Sequence, residues 1–281
     1  MIQTIDGVEF KLKSAYDFSF LAKYEVFKVY DDQDSGNICF GVADGERKYF
    51  VKFAGAPTVR ANVNADEAIR MLKHAAQVYR DLAHPNLVRL VSEEEIGGGY
   101  AAVFDWVEML CMSKQYPSQH AQFMALPLAT RLKIFEEILD FHAHVAACGY
   151  VAIDFYDGSI MYDLENAKAV ICDIDYYEKQ PYVNQMGRMF GSSKFMSPEE
   201  FVKGEVIDEV SNVYLMGATA FALLANYDRT AENWPLDAKL YETAKRATSD
   251  ERNNRQQTIR QFIDEWNANS PSDTGDFYEF H

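Results

Sequence analysis

Cysteine is scarce, positive charge is in deficit, and long apolar runs are missing, and each shortage removes a class of protein. The four cysteines (Cys39, Cys111, Cys148 and Cys172) are scattered, with no C-x-x-C pair and no zinc-ligand spacing to histidine. Neither a disulfide framework nor a zinc site is indicated; small buried apolar residues in a reducing compartment are expected. Twenty-seven Lys and Arg face 43 Asp and Glu, a formal charge of −16. That balance argues against general binding to nucleic acid or anionic lipid, both of which present phosphate, and favours a basic partner or none. The opening M-I-Q-T-I-D-G-V-E-F lacks the basic end and apolar stretch of a signal peptide. No run approaches the roughly 20 apolar residues of a membrane span. A soluble, cytoplasmic protein with no membrane partner is the expectation.

What is present is apolar bulk. Of 281 residues, 48% are hydrophobic and 14% aromatic, enough to bury a sizeable core and to exclude wholesale disorder. That length allows one large domain or two small ones. Strand-like alternation marks V-F-K-V-Y (26–30), N-I-C-F-G-V (37–42) and K-Y-F-V-K-F (48–53), with the hairpin signal D-G at 44–45 between the last two. Ala68, Met71, Leu72, Ala75, Ala76, Tyr79 and Leu82 then recur at threes and fours, predicting a helix over 65–83 that Pro85 ends. Strands are expected at 87–92 and 99–104 around the G-G-G turn at 97–99.

After F-D-W-V-E (104–108) the pattern becomes helical. Leu128, Leu132, Phe135, Leu139 and Val145 define one face, with Pro127 expected at the first helical position and Cys148-Gly149 at the end. Short strands at 159–163 and 168–172 flank the turn L-E-N-A. The run 211–225 is apolar on nearly every side and predicts a buried central helix, and a last helix is expected over 256–268. The expected division is 1–105, sheet-rich; 106–268, helical; and 269–281, a polar tail.

Four stretches carry candidate chemistry. Lys52 ends the strand Y-F-V-K-F, and H-P-N-L-V (84–88) follows the next helix. Asp154 lies in G-Y-V-A-I-D-F-Y-D-G-S-I-M-Y-D (149–163), with Ser159 five residues on, and Asp173 and Asp175 lie in A-V-I-C-D-I-D-Y-Y (169–177). G-S-S-K-F-M-S-P-E-E-F (191–201) contains Glu199, I-D-E-V-S-N-V-Y-L-M-G (207–217) opens the central helix, and R-N-N-R-Q-Q-T-I-R-Q-F (252–262) offers Arg255. Singly, a strand lysine is an edge residue and loop aspartates are turn formers. A carboxylate ending a buried apolar strand, as at Asp173, costs several kcal/mol unless paired or metal-bound.

In this order and spacing the stretches resemble the protein-kinase superfamily over roughly residues 20–267. The resemblance implies an α+β, bilobal protein-kinase-like fold with a small antiparallel-sheet N-lobe and a mostly helical C-lobe. It further implies ATP and Mg2+ as co-substrate and cofactor, and a protein substrate accepting phosphate on serine or threonine. Lys52, Gly36, Asp105 and Val107 would contact the nucleotide. Asp154 would be the catalytic aspartate. Asp173, with Ser159 and Asp175, would hold metal, and Glu199 and Arg255 would form a structural ion pair.

Departures cluster around the phosphates. D-D-Q-D-S-G-N-I-C-F-G (31–41) holds Gly36 and Gly41 but no G-x-G-x-x-G, and its aspartates repel polyphosphate. Ala75 stands where the lysine's partner glutamate belongs, and Glu67 would need a shifted helix to reach Lys52. A-I-D replaces H-R-D, so Ile153 offers no arginine to an activation-segment phosphate, and Tyr156 replaces a lysine. Asn212 stands for the aspartate that braces the catalytic loop, compatibly with Ala152 in place of its histidine. D-F-G has become D-I-D, and Asp157 and Asp175 add carboxylates. Three functions therefore stay open: an active protein-kinase-type phosphotransferase, a pseudokinase acting as a binding module, and a small-molecule kinase, against which the 191–199 stretch counts.

Overall fold

The computed structural model describes residues 1–270, so the expected polar tail lies, from residue 271 on, outside the described residues. The chain is α+β, with small antiparallel sheets and six helices among the described residues. Two compact units divide it. The first comprises residues 1–109 together with 163–165 and 170–177; the second holds the rest. The sequence reading drew its line after residue 105, whereas the first unit runs to Met109 and also takes in the segment around D-I-D.

The first unit opens with a hairpin, β1 (Ile2–Ile5) and β2 (Val8–Lys11), turning at Asp6 and Gly7, both at positive φ. Then come β3 (Glu25–Tyr30), β4 (Asn37–Asp44), β5 (Arg47–Ala54), α1 (Ala65–Asp81), β6 (Leu90–Ile96) and β7 (Gly99–Asp105). The last five strands form one antiparallel sheet in the order β3-β4-β5-β7-β6. Period-two alternation sorts their side chains onto two faces. Val26, Ile38, Phe40, Val42, Val51, Phe53, Ala101 and Val103 form the core with Phe10, Leu12, Phe18 and Leu21, which the N-terminal segment brings over them. Each of these side chains larger than alanine contributes about 1.5–3 kcal/mol of burial. The opposite face carries Cys39, Phe50, Lys52 and Phe104, with α1 packed on β5 and β7. Asn64 caps α1 by accepting from the Glu67 amide at 2.9 Å. Ala68, Ala75 and Ala76 give this helix a small-residue buried face.

The second unit contains β8 (Leu110–Cys111), α2 (Pro117–Met124), α3 (Leu128–Ala147), β9 (Tyr150–Val151) and all but the last residue of β10 (Ile160–Asp163). After β11 (Lys168–Ile171), which crosses the division, it resumes with β12 (Glu178–Lys179), β13 (Tyr182–Val183), β14 (Val206–Ile207), α4 (Glu209–Ala225), α5 (Ala238–Ala247) and α6 (Ile259–Asn269). Helix α4 is buried at every position from Ser211 to Leu224 and packs against α3, α5 and α6. Its entry is fixed by Asp208, which accepts from the Val210 amide at 2.9 Å. Pro127 proves to be the cap of α3, at φ −50° and ψ 144°, and the helix begins one residue later. None of the described helices is long and apolar enough to cross a membrane.

Candidate functional site

The first unit gathers three candidate residues into one cluster. Lys52 projects from β5, and its Nζ lies 2.8 Å from Asp175 Oδ2 and 3.1 Å from Asp173 Oδ1. The lysine side chain is 13% exposed, Asp175 17% and Asp173 46%, so Asp175 is the buried partner and Asp173 the solvent-facing one. Backbone bonds aim the carboxylates. The Ile171 amide donates to the Asn86 carbonyl at 2.6 Å and the Val88 amide to the Ile171 carbonyl at 2.8 Å, while the Ile174 amide meets the Tyr79 hydroxyl at 3.3 Å. Ile174 is fully buried, so the residue between the two aspartates is an apolar anchor. Asp173 takes a left-handed φ of 57°, open to aspartate at modest cost.

Electrostatically the cluster is self-consistent. Burial pulls the Lys52 pKa down, but Asp175 and then Asp173 outweigh it, and the ammonium is held well above the usual lysine range. Burial pushes the Asp175 carboxyl up against the pull of Lys52. The Cys39 thiol, across the ladder from Lys52, is pushed up to about 12 by burial and is no nucleophile. The partner missing at Ala75 is thus supplied from D-I-D: Lys52's carboxylates come from residues 173–175, while Glu67 stays in the first turn of α1.

The candidate nucleotide contacts sit differently. Gly36 is buried at φ 84°, and a Cβ there would lie 3.0 Å from both Val63 and Ala68 side chains, so it packs against the entry to α1. At Gly41 a Cβ would fall 2.7 Å from the Phe27 ring and 2.8 Å from the Trp106 ring. Phe27 and Trp106 meet edge to face at 4.9 Å and Phe50 lies 6.4 Å from Trp106, so aromatic rings cover the sheet at this end. The Trp106 indole N–H is buried with no acceptor among the described residues. Asp105 is engaged by Arg89 through two bonds of 2.8 and 2.9 Å, and Val107 is half-buried. Two of the aspartates expected to repel phosphate are engaged: Asp31 accepts from the Lys11 amide at 2.6 Å, and Asp32 pairs with Arg60 at 2.5 Å.

In the second unit Asp154 is partly exposed at φ 63°, beside Gly191. Asn212 braces its loop. The Oδ1 atom accepts from the Ala152 amide at 2.8 Å and Nδ2 donates to the Tyr150 carbonyl at 3.2 Å. Ser159 is fully buried at the end of a single 3-10 turn. Asp157 accepts from the Tyr227 hydroxyl at 2.6 Å and the Lys114 amide at 3.3 Å, which gives it a structural duty.

Glu199 and Arg255 meet in a two-pronged pair of 2.7 and 3.0 Å, with the arginine fully buried. Arg252 adds a 2.6 Å bond to Glu199 and two to Asp208, and the Ser211 hydroxyl donates to Glu199 at 2.7 Å. Burial alone would raise the Glu199 pKa; Arg255 and Ser211 reverse it, leaving the carboxyl below its usual range. The adjacent Glu200 accepts from Ser197 N and Oγ at 2.6 and 2.8 Å, and burial pushes it up to about 7. Sequence reasoning missed Arg252, Glu200 and the duty of Asp157. Only Arg252, three residues before Arg255, carried a signal in its spacing.

Among the described residues, no group of three or more His, Cys, Asp and Glu side chains is arranged to hold a metal ion. No family model matches the chain, and no curated protein matches it.

Proposed function

We propose that the chain is an ATP-dependent phosphotransferase of the protein-kinase type, acting on serine or threonine of a protein, with its two units as the small and large lobes of that fold. The observation that carries the reading is the buried Lys52 ammonium held by Asp175 and Asp173 at 2.8 and 3.1 Å. A fixed cation beside a half-exposed carboxylate is what binding a metal-bound polyphosphate requires. Two observations support magnesium as the metal. Asp173 is half-exposed, and Asp175 Oδ1 is buried with no hydrogen bond among the described residues. Asp173, with Asp175 as a further candidate, would hold the ion, which when bound neutralises phosphate charge. Lys52 binds phosphate oxygens, and Asp154 orients the acceptor hydroxyl and takes its proton on the carboxylate. The Asn212 brace holds the Asp154 loop for that task.

Thermal-shift titration with ATP and magnesium, on wild type and Asp173→Ala, tests this reading. Stabilisation of the wild type that Asp173→Ala loses, together with labelled phosphate transfer to a basic protein, is expected. No stabilisation at millimolar nucleotide refutes it.

A second reading, a binding module without transfer, is favoured by the Phe27 and Trp106 rings over Gly41, where a phosphate clamp would need bare backbone. On that reading the wild type shows no nucleotide-dependent stabilisation, and Phe27→Ala does not create any.

A further inference from the structure

The second unit holds a cavity of about 230 Å³ lined by Ser193, Lys194, Tyr214, Phe221, Tyr227 and Arg229. Its chemistry runs against that of the chain. Lys114 Nζ and Lys194 Nζ lie 3.9 and 4.4 Å from the centroid of one ring, that of Tyr227. Arg229 is fixed beside them. Its Nη1 donates to the Tyr214 hydroxyl at 3.1 Å, its Nη2 to the Lys194 carbonyl at 2.8 Å, and its own carbonyl accepts from Tyr241 at 3.0 Å. None of the three cations forms an ion pair with a carboxylate among the described residues. The acid closest in chemistry, Asp157, already accepts from the Tyr227 hydroxyl and the Lys114 amide. Desolvation, and then Lys194, hold the Lys114 ammonium below its ordinary lysine value against the opposing pull of Asp157, so the one nearby carboxylate does not offset the two like charges sharing the ring.

Lys194 and Arg229 line the cavity and Lys114 shares the Tyr227 ring, while the one carboxylate acting on them, Asp157, leaves positive charge in excess; in a chain with 43 acidic and 27 basic residues that excess calls for an anion from outside. A uniformly acidic polymer such as nucleic acid is repelled by the net −16. The aromatic walls suit a side chain carried on a peptide, with an apolar stem under a charged head. We propose that this pocket binds one acidic side chain, carboxylate or phosphoryl, of a partner polypeptide that is otherwise neutral or basic, with Lys114, Lys194 and Arg229 supplying the charge. The site stands apart from the transferase reading and needs no nucleotide.

Fluorescence anisotropy tests it with short labelled alanine–lysine peptides, without nucleotide. The peptides differ at one central residue: glutamate, phosphoserine or alanine. The acidic peptides are expected to bind at least about fivefold tighter than the alanine peptide. Lys114→Ala and Lys194→Ala should each weaken them by about fivefold. Lys203→Ala, an exposed lysine outside the pocket, should change nothing. The glutamate and phosphoserine arms distinguish the two sources of the anion, and inorganic phosphate serves as competitor. Equal binding of all three peptides, or equal weakening by Lys203→Ala, overturns the proposal. So does inorganic phosphate that competes at the concentration of the phosphopeptide itself. Thermal melts of the two pocket variants should match the wild type, since both lysines are exposed.

Discussion

Asp175→Asn isolates the contact on which the Lys52 cluster depends. The substitution keeps side-chain volume and removes the charge 2.8 Å from a lysine only 13% exposed. Losing one partner of a buried pair costs about 3–5 kcal/mol, because the other charge is left in low dielectric. Here Asp173 remains at 3.1 Å, but it is 46% exposed and screened, so it returns no more than about 1 kcal/mol. A net loss of about 2–4 kcal/mol is expected for Asp175→Asn, against about 1 kcal/mol or less for Asp173→Asn. Replacing the pair outright, as Lys52→Met with Asp175→Leu, should recover most of the loss, since a well-packed apolar pair needs no desolvation. Native-state hydrogen exchange at the amides of β4, β5 and α1 reads the stability of this unit separately from the other. If Asp173→Asn proves the more damaging variant, or the double variant is no better than Asp175→Asn, then Asp175 is not the lysine's partner and the reasoning fails.

Three further outcomes follow. On the transferase proposal, Asp154→Asn should abolish phosphate transfer while leaving the melting temperature unchanged, because asparagine also accepts the left-handed φ of 63°; a large drop in melting temperature would show a structural role instead. Arg255→Leu should destabilise the second unit by about 3 kcal/mol, the low end for a broken buried pair since Arg252 and Ser211 still bond Glu199. A urea midpoint equal to wild type would contradict that. Glu200 has its folded pKa raised from 4.5 to about 7, so its contribution is fully present below pH 4.5 and is lost as pH rises through 7, by about 3 kcal/mol at most. Denaturation midpoints measured across that window should fall in the wild type and flatten in Glu200→Gln.

Much of this architecture is written in local pattern. The alternation of β3, β4 and β5, the D-G signal, the small-residue periodicity of α1 and the all-round apolarity of α4 are properties of neighbouring residues, and each element stands where they point. The hairpin of β1 and β2 carried the same D-G signal between I-Q-T-I and V-E-F-K, but the opening residues were weighed only as a leader. Helix α5 showed its cap in Asp237 and its buried stripe in Leu240, Tyr241 and Ala244, and α2 had only Pro117 at its start; neither was anticipated. Long-range pairing was harder to see. Nothing in D-I-D says that Asp175 lies under Lys52, 123 residues away in sequence, and a second aspartate there reads equally as a metal ligand. The Tyr227–Asp157 bond spans 70 residues and is just as silent.

The Asn212 brace grips the chain by its amide and carbonyl rather than by a side chain. A clasp of that kind is indifferent to what residue 152 is, provided it has an N–H to give. The hold itself therefore does not depend on the side chain at 152, and only proline there would remove the N–H it grips. Sequence similarity at that position then says little about whether the geometry survives.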